Sequence, residues 1–231
     1  MGKTTTASAR NIRHGRGPVW LTFVAALAAT AGFFAYGWSL YPGLPDMFFT
    51  QFLAAGMTVF LAGLAAVSVR AFPPRPEATA WELHRREGMA RGTIAALGLT
   101  SLALAVTLGL QGPQGGTGPD RPTAPPALLS IPLFLLVVIG SYAVAARWAA
   151  RAAARAGVAP TVQEAAADRL WISGIIYNNP EDARLLVPRR EGAGYGLTIN
   201  LGNRAGRIGA ICFVALVVLV PLALGVLAWQ S

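Results

Sequence analysis

Charge, cysteine and histidine are all scarce in this chain. Only 13% of its 231 residues are charged, where soluble domains carry about a quarter. A single cysteine, Cys212, excludes a disulfide framework and a cysteine metal site; within an apolar run it reads as a small packing residue. The two histidines are His14 and His84. The first lies in a polar tail and the second beside Glu82 and Glu87 in an amphipathic stretch. Neither sits in a nucleophile, acid or base constellation, so a catalytic or metal role is not expected and His84 reads as a solvated interfacial residue. No enzymatic activity and no cofactor is expected.

What is abundant is apolar sequence, 54% of the chain, and it comes in long blocks rather than short periodic stripes. Five blocks have the length of a membrane-crossing helix: Val19–Tyr41, Met47–Val69, Gly92–Leu110, Ala127–Ala146 and Ile208–Trp229. None contains Asp, Glu, Lys, Arg or His. Alternating ten-residue segments, the signature of a barrel, are absent. In hydrocarbon the backbone must satisfy its own hydrogen bonds, which favours helices. The fold class expected is therefore an all-α integral membrane protein with five transmembrane helices. The first block continues through Phe33, Phe34, Tyr36 and Trp38, too far for a usual signal-peptide core, so it reads as a retained span.

The net charge of +9 invites a nucleic-acid reading, but its distribution argues for a membrane. Lys3, Arg10, Arg13 and Arg16 lie in the tail 1–18. Arg70, Arg75, Arg85, Arg86 and Arg91 lie in the loop 70–91. Nine more arginines, Arg147, Arg151, Arg155, Arg169, Arg184, Arg189, Arg190, Arg204 and Arg207, fall in 147–207. Eighteen of nineteen basic residues thus occupy alternate connections, with Arg121 alone on the other side. The positive-inside rule then puts the N-terminus in the cytoplasm and the C-terminus outside. The juxtamembrane arginines meet anionic lipid head groups, and no nucleic acid is needed to explain them.

The connections differ in texture. Residues 1–18 read as a disordered basic tail. A tight outer turn at Pro42, Gly43, Pro45 and Asp46 joins the first two spans as an antiparallel pair. Loop 70–91 opens with Phe72-Pro73-Pro74-Arg75-Pro76 and then turns amphipathic at Trp81–Glu87. This predicts a short surface helix with Trp81 and Leu83 dipping into the head-group region. The outer loop 111–126 holds four glycines and five prolines and reads as unstructured. After the fourth span, Arg147, Arg151 and Arg155 recur every four residues, on one face of a helix continuing into the cytoplasm. Gly157 and Pro160 end it. Small residues such as Ala25, Ala28, Ala29 and Gly32, or Gly56, Gly63 and Ala65, permit close helix approach, and Pro132 and Pro221 introduce kinks.

The cytoplasmic insert 147–207 carries the one segment with chemical texture, 168–203. Asn179-Pro180-Glu181-Asp182 is a turn in which Asn caps its own backbone and Pro presets the next dihedral. Around it lie the β-prone runs Ile175–Tyr177, Leu185–Val187 and Tyr195–Leu201, broken by Gly192, Gly194 and Gly196. A small β-hairpin-like unit between the fourth and fifth helices is expected, with Trp171, Tyr177 and Tyr195 as interfacial or packing anchors. Glu181-Asp182 could hold a cation and Arg189-Arg190 beside Gly192 and Gly194 a phosphate; turn capping and lipid contact are the plainer readings.

Trp171, Gly174, Tyr177, Asn179-Pro180-Glu181-Asp182, Val187-Pro188-Arg189-Arg190, Gly192, Gly194, Asn200 and Gly202 resemble a short domain of unknown function in bacterial membrane proteins. Its pattern is Tyr-x-Asn-Pro-Asp/Glu-Asp, Val-Pro-Lys-Arg, then Gly-x-Gly-Trp-x-x-Asn. Here Arg189 replaces the Lys, and Tyr195-Gly196 stands where an aromatic-Thr pair is common. At the first outer turn Leu44, Pro45, Thr50, Gln51, Phe52 and Gly56 are similar to a motif of SdpI-like multi-pass proteins, with Gln51 in place of the usual His. The two domains co-occur, and the resemblance implies antimicrobial-peptide immunity or signalling for some relatives. Two expectations follow. One is a non-enzymatic membrane module displaying a cytoplasmic recognition unit to a protein partner or lipid. The other is a small transporter or permease subunit working in an oligomer or with a partner, although the spans lack the ionisable groups that ion coupling uses and show no inverted repeat.

Overall fold

In a computed structural model the described residues are 15–40, 48–71, 77–111, 125–190 and 196–230. The fold is mostly helical. Helices α1 (Gly17–Leu40), α2 (Phe49–Ala71), α3 (Ala80–Gln111) and α4 (Pro125–Arg155) are followed by a short α5 (Val162–Arg169). Four short strands come next, β1 (Trp171–Ile172), β2 (Ile176–Tyr177), β3 (Leu186–Pro188) and β4 (Leu197–Ile199), and α6 (Arg204–Gln230) ends the chain. Within α1 to α4 lie four helices long and apolar enough to cross a membrane: Gly17–Leu40, Phe49–Ala71, Ala80–Leu110 and Pro132–Arg155. α6 carries the fifth apolar block.

The surface of these helices is what a bilayer requires. On α2 the buried residues are Gln51, Ala54, Thr58, Leu61 and Ala65, one narrow stripe at helical spacing. Outside it Phe49 and Phe52 are 69% and 68% exposed, and Val59, Phe60 and Val67 are similarly bare. Large apolar side chains outside and small ones inside reverse the usual order of a water-soluble core. The multi-pass membrane reading follows from that arrangement.

The chain forms two compact units. One comprises Val67–Thr93 and Ile139–Val214 with residues 15–17; the other comprises Pro18–Ala66, Ile94–Val138 and the segment from Ala215 on. In the second, Phe48 at the start of α2 meets Phe34 and Trp38 of α1 at ring-centroid distances of 4.7 and 5.4 Å. Leu44 and Pro45, in the turn between the first two apolar blocks, lie outside the described residues. So do residues 1–14, 72–76 and 112–124, and Gly192, Gly194 and Tyr195.

The first unit departs from expectation at loop 70–91. Its amphipathic half is not a separate surface helix but the opening turns of α3, which runs unbroken from Ala80. Thr79 caps it, its Oγ accepting the Glu82 N–H at 3.1 Å. The charges that suggested a surface helix facing lipid head groups are mutually paired. Glu82 accepts from Arg86 at 2.7 Å, and Glu87, 4% exposed, accepts from Arg91 at 3.1 Å and from Arg16 at 2.9 Å. His84 is likewise buried, its Nδ1 bonded to the Ala80 carbonyl at 2.8 Å, rather than solvated.

α4 continues the fourth apolar block into the Ala/Arg-rich extension. Arg147, Arg151 and Arg155 are exposed while Ala145, Ala149 and Ala153 are buried. A Schellman motif ends it: Gly157 takes φ +67°, its N–H bonds to Ala154 O at 3.1 Å and Val158 N–H to Ala153 O at 2.9 Å. Against this alanine face packs α3, so closely that a Cβ on Gly88 would lie 2.7 Å from the Ala149 Cβ. Arg91 stacks on the Trp148 ring, 3.7 Å from its centroid.

Candidate functional site

The insert is built around one amide. Asn200 is 0% exposed. Its Oδ1 accepts the N–H groups of Asn179 at 3.0 Å and Gly202 at 2.9 Å. Its Nδ2 donates to the carbonyls of Asn179 and Asp182, both at 2.9 Å. One side chain thereby closes the Asn179–Asp182 turn onto the residue after β4. Gly202 is required at this join, since a Cβ there would lie 2.2 Å from the Asn179 carbonyl carbon.

The turn is capped from within. Asn179 Oδ1 accepts the Glu181 N–H at 3.0 Å, and Asp182 Oδ1 accepts the Arg184 N–H at 3.0 Å, both as Asx turns. Arg184 also grips the Asp182 carboxylate through its side chain at 2.7 Å. That hydrogen bond, with the Arg184 N–H and charge, holds Asp182 at a pKa of about 2. Tyr177 OH accepts from Asn179 Nδ2 at 3.0 Å, and its ring packs on Trp171 with centroids 5.1 Å apart. Trp171, Tyr177, Asn179, Asp182 and Asn200 are therefore drawn together, Trp171 through its ring and the other four through polar groups that face one another. Pro180 and Glu181 lie on the turn, Glu181 exposed. Pro188 pairs with Leu197 across the β3–β4 ribbon.

Arg189 and Arg190 do not act as a pair. Arg189 is exposed, with its backbone N–H bonded to Gly196 O at 2.9 Å, while Arg190 forms an ion pair with Asp168. The other Asp168 oxygen accepts the indole N–H of Trp81 at 2.8 Å. Trp81, expected to dip into head groups, thus joins α3 to α5. The ion pair lines a cleft of about 210 Å³. Trp81, Met89 and Trp171 line it together with Ala146, Ala149 and Ala150, and Arg85, Ser173 and Gly174 complete it. Ser173 and Gly174 both take left-handed φ, 51° and 75°, in the three-residue connection between β1 and β2, where Ile175 N–H bonds Ile172 O at 3.2 Å.

A polar recess beside the cleft is lined by Trp81, Glu82, Arg85, Glu164 and Arg190. Glu164 closes a capping box with Thr161 on α5 and accepts from the Thr79 hydroxyl. Burial pushes its pKa up, but the hydrogen bonds from Thr79 and Thr161 outweigh it and hold the carboxylate below its ordinary value. Sequence reasoning passed over Asp168, Met89, Glu164 and the alanine face. Two Thr-x-x-Glu spacings, Thr79–Glu82 and Thr161–Glu164, were the available signal for the starts of α3 and α5.

Of the motif residues at the start of α2, Gln51 is 4% exposed and accepts the Thr50 hydroxyl at 2.7 Å; Gly56 faces open space. Among the described residues no group of three His, Cys, Asp or Glu side chains is placed to hold a metal ion. The chain matches no protein-family model, no curated protein and no solved structure.

Proposed function

We propose that the chain is a five-span protein of the bacterial cytoplasmic membrane. Its N-terminus and the insert between the fourth and fifth spans face the cytoplasm, and it works as a non-enzymatic recognition module of the immunity or signalling kind that the SdpI-like resemblance suggests. The bias of basic residues to alternate connections supports the orientation. The observation that carries the recognition reading is the cleft lined by Trp81, Met89 and Trp171, with the Asp168–Arg190 pair and Arg85 also in its lining. Two indoles, a methionine and three alanines beside a few charged groups form the kind of pocket that seats one aromatic or aliphatic anchor of a protein partner. The motif residues favour the same reading, because Trp171, Gly174 and Arg190 contribute to that lining while Asn179, Asp182 and Asn200 hold the unit together.

A photo-crosslinking residue at Ala150 or Ser173, in the full chain in native membranes, tests it. A discrete protein adduct that disappears in Trp81→Ala supports the module. A labelled pattern indistinguishable from that of an exposed site such as Glu181 refutes it.

A second reading, a small transporter or permease subunit in an oligomer, draws on the burial of Gln51 and Thr58 in α2. Against it, the hydroxyls of Thr30, Thr58 and Thr100 each bond the carbonyl four residues back in their own helix. Flux in proteoliposomes that vanishes on Gln51→Ala or Thr58→Val would favour this reading.

A further inference from the structure

The β3–β4 ribbon has an apolar face that is largely uncovered, with only its Ile199 end packed, against the start of α6. Leu186 pairs with Ile199, Val187 with Thr198 and Pro188 with Leu197. Opposed residues share a face and successive residues alternate, so Leu186, Pro188, Leu197 and Ile199 lie together. The other face, Val187 and Thr198, turns inward. Val187 is 3% exposed, and Thr198 Oγ donates to Ile175 O at 3.1 Å. An antiparallel ribbon with one face in water normally alternates apolar and polar residues. Here the outward face holds no polar side chain, and Leu186 and Leu197 are 51% and 56% exposed.

Two observations identify what lies against it. The ribbon is tied to the start of α6: Ile199 Cγ1 lies 3.6 Å from where a Gly206 Cβ would be and Cδ1 3.8 Å from that of Gly209. Gly206 and Gly209 belong to a helical stripe that continues to Phe213, which is exposed, as are Ile208 and Ile211 on the remaining faces. From Ile208 to Val220 the helix carries only apolar side chains. The second observation is charge: Arg189 follows Pro188, and Arg204 and Arg207 occupy the first turn of α6, all three exposed. A patch of leucines beside arginines, a few residues before an uncharged helix, matches the layered chemistry of an anionic leaflet, with phosphate above and acyl chain below.

We propose that the outward face of the β3–β4 ribbon is a membrane-surface anchor. Leu186, Pro188 and Leu197 seat in the boundary between head groups and acyl chains, and Arg189 and Arg204 contact lipid phosphate. The proposal rests on the reading of α6 as a span. It assigns the anchoring to these leucines, because Trp171 and Tyr177 pack on each other.

The test is nitroxide accessibility in the full chain, reconstituted in phosphatidylcholine–phosphatidylglycerol vesicles in a Cys212→Ser background. Single labels at Leu186→Cys and Leu197→Cys are compared with Glu181→Cys on the exposed turn and Val220→Cys within α6. The expected result is several-fold higher collision with oxygen than with a nickel chelate at 186 and 197, and the reverse at 181. Nickel access at 186 and 197 equal to that at 181 overturns the anchor, as does exclusion of both reagents or dipolar broadening from a second copy. Val220 separates the two failures: water access there refutes the span, whereas oxygen access there with water access at 186 and 197 refutes the anchor alone.

Discussion

Asn200 holds Asn179 from both sides, accepting its N–H at 3.0 Å and donating to its carbonyl at 2.9 Å. These positions are 21 residues apart, so the amide substitutes for a strand pairing that the turn geometry does not allow. Asn200→Ala would leave the Asn179 and Gly202 N–H groups and the Asp182 carbonyl unpaired in a buried site. A loss on the order of 3 kcal/mol is expected, read as faster amide hydrogen exchange across 179–184. Unchanged exchange there would show that the turn closes without it.

Gly202→Ala should cause comparable damage by a different route, because the new methyl would overlap the Asn179–Pro180 peptide. Gly56→Ala is the control, with open space around the added carbon, and should shift stability by no more than about 0.5 kcal/mol. Thermal unfolding of both variants in detergent separates steric exclusion from a general intolerance of added bulk.

Breaking the Glu87 cluster should loosen the start of the chain. Glu87→Gln leaves Arg16 and Arg91 sharing a neutral partner in a site where Glu87 is 4% exposed. Removing one member of such a buried cluster costs about 3 kcal/mol. Faster trypsin cleavage after Arg16, with the Arg91–Trp148 stacking kept, is the expected result; cleavage at the parental rate would mean that the pairing does not order Gly15–Arg16.

Acid should weaken the Asn-Pro turn late. The Asp182 carboxyl falls from an ordinary 3.8 to about 2 through its Arg184 hydrogen bonds. A depressed carboxyl pKa stabilises the folded turn above the unfolded value, and that contribution is lost as pH falls from about 4 towards 2. Exchange protection at the Arg184 amide should therefore persist at pH 4 and decline below it. Arg184→Gln should move the decline upward; an unmoved decline would detach Arg184 from the effect.

Much of this was legible in the sequence wherever short-range physics decides. Uncharged blocks become helices because hydrocarbon leaves the backbone no other partner, and Gly157 stops α4 because a left-handed residue is needed there. The turn at Asn179-Pro180 was readable from side-chain capping within two residues. The start of α3 was not, because Glu82, Arg86, Glu87 and Arg91 look solvated until Arg16, 71 positions from Glu87, is brought alongside. The candidate cleft was hidden for the same reason. Trp81 and Asp168 stand 87 positions apart, and no local pattern announces that an interfacial tryptophan has an aspartate to bond.

The close approach of Gly206 to the Asn200 carbonyl, where a Cβ would sit 2.0 Å away, has a mechanical consequence. Asn203 caps α6 by accepting the Ala205 N–H at 2.9 Å, so only Leu201 and Gly202 separate the Asn200 knot from that cap. A ligand that displaced the Asn179–Asp182 turn would therefore have a path of two residues to the root of the last helix.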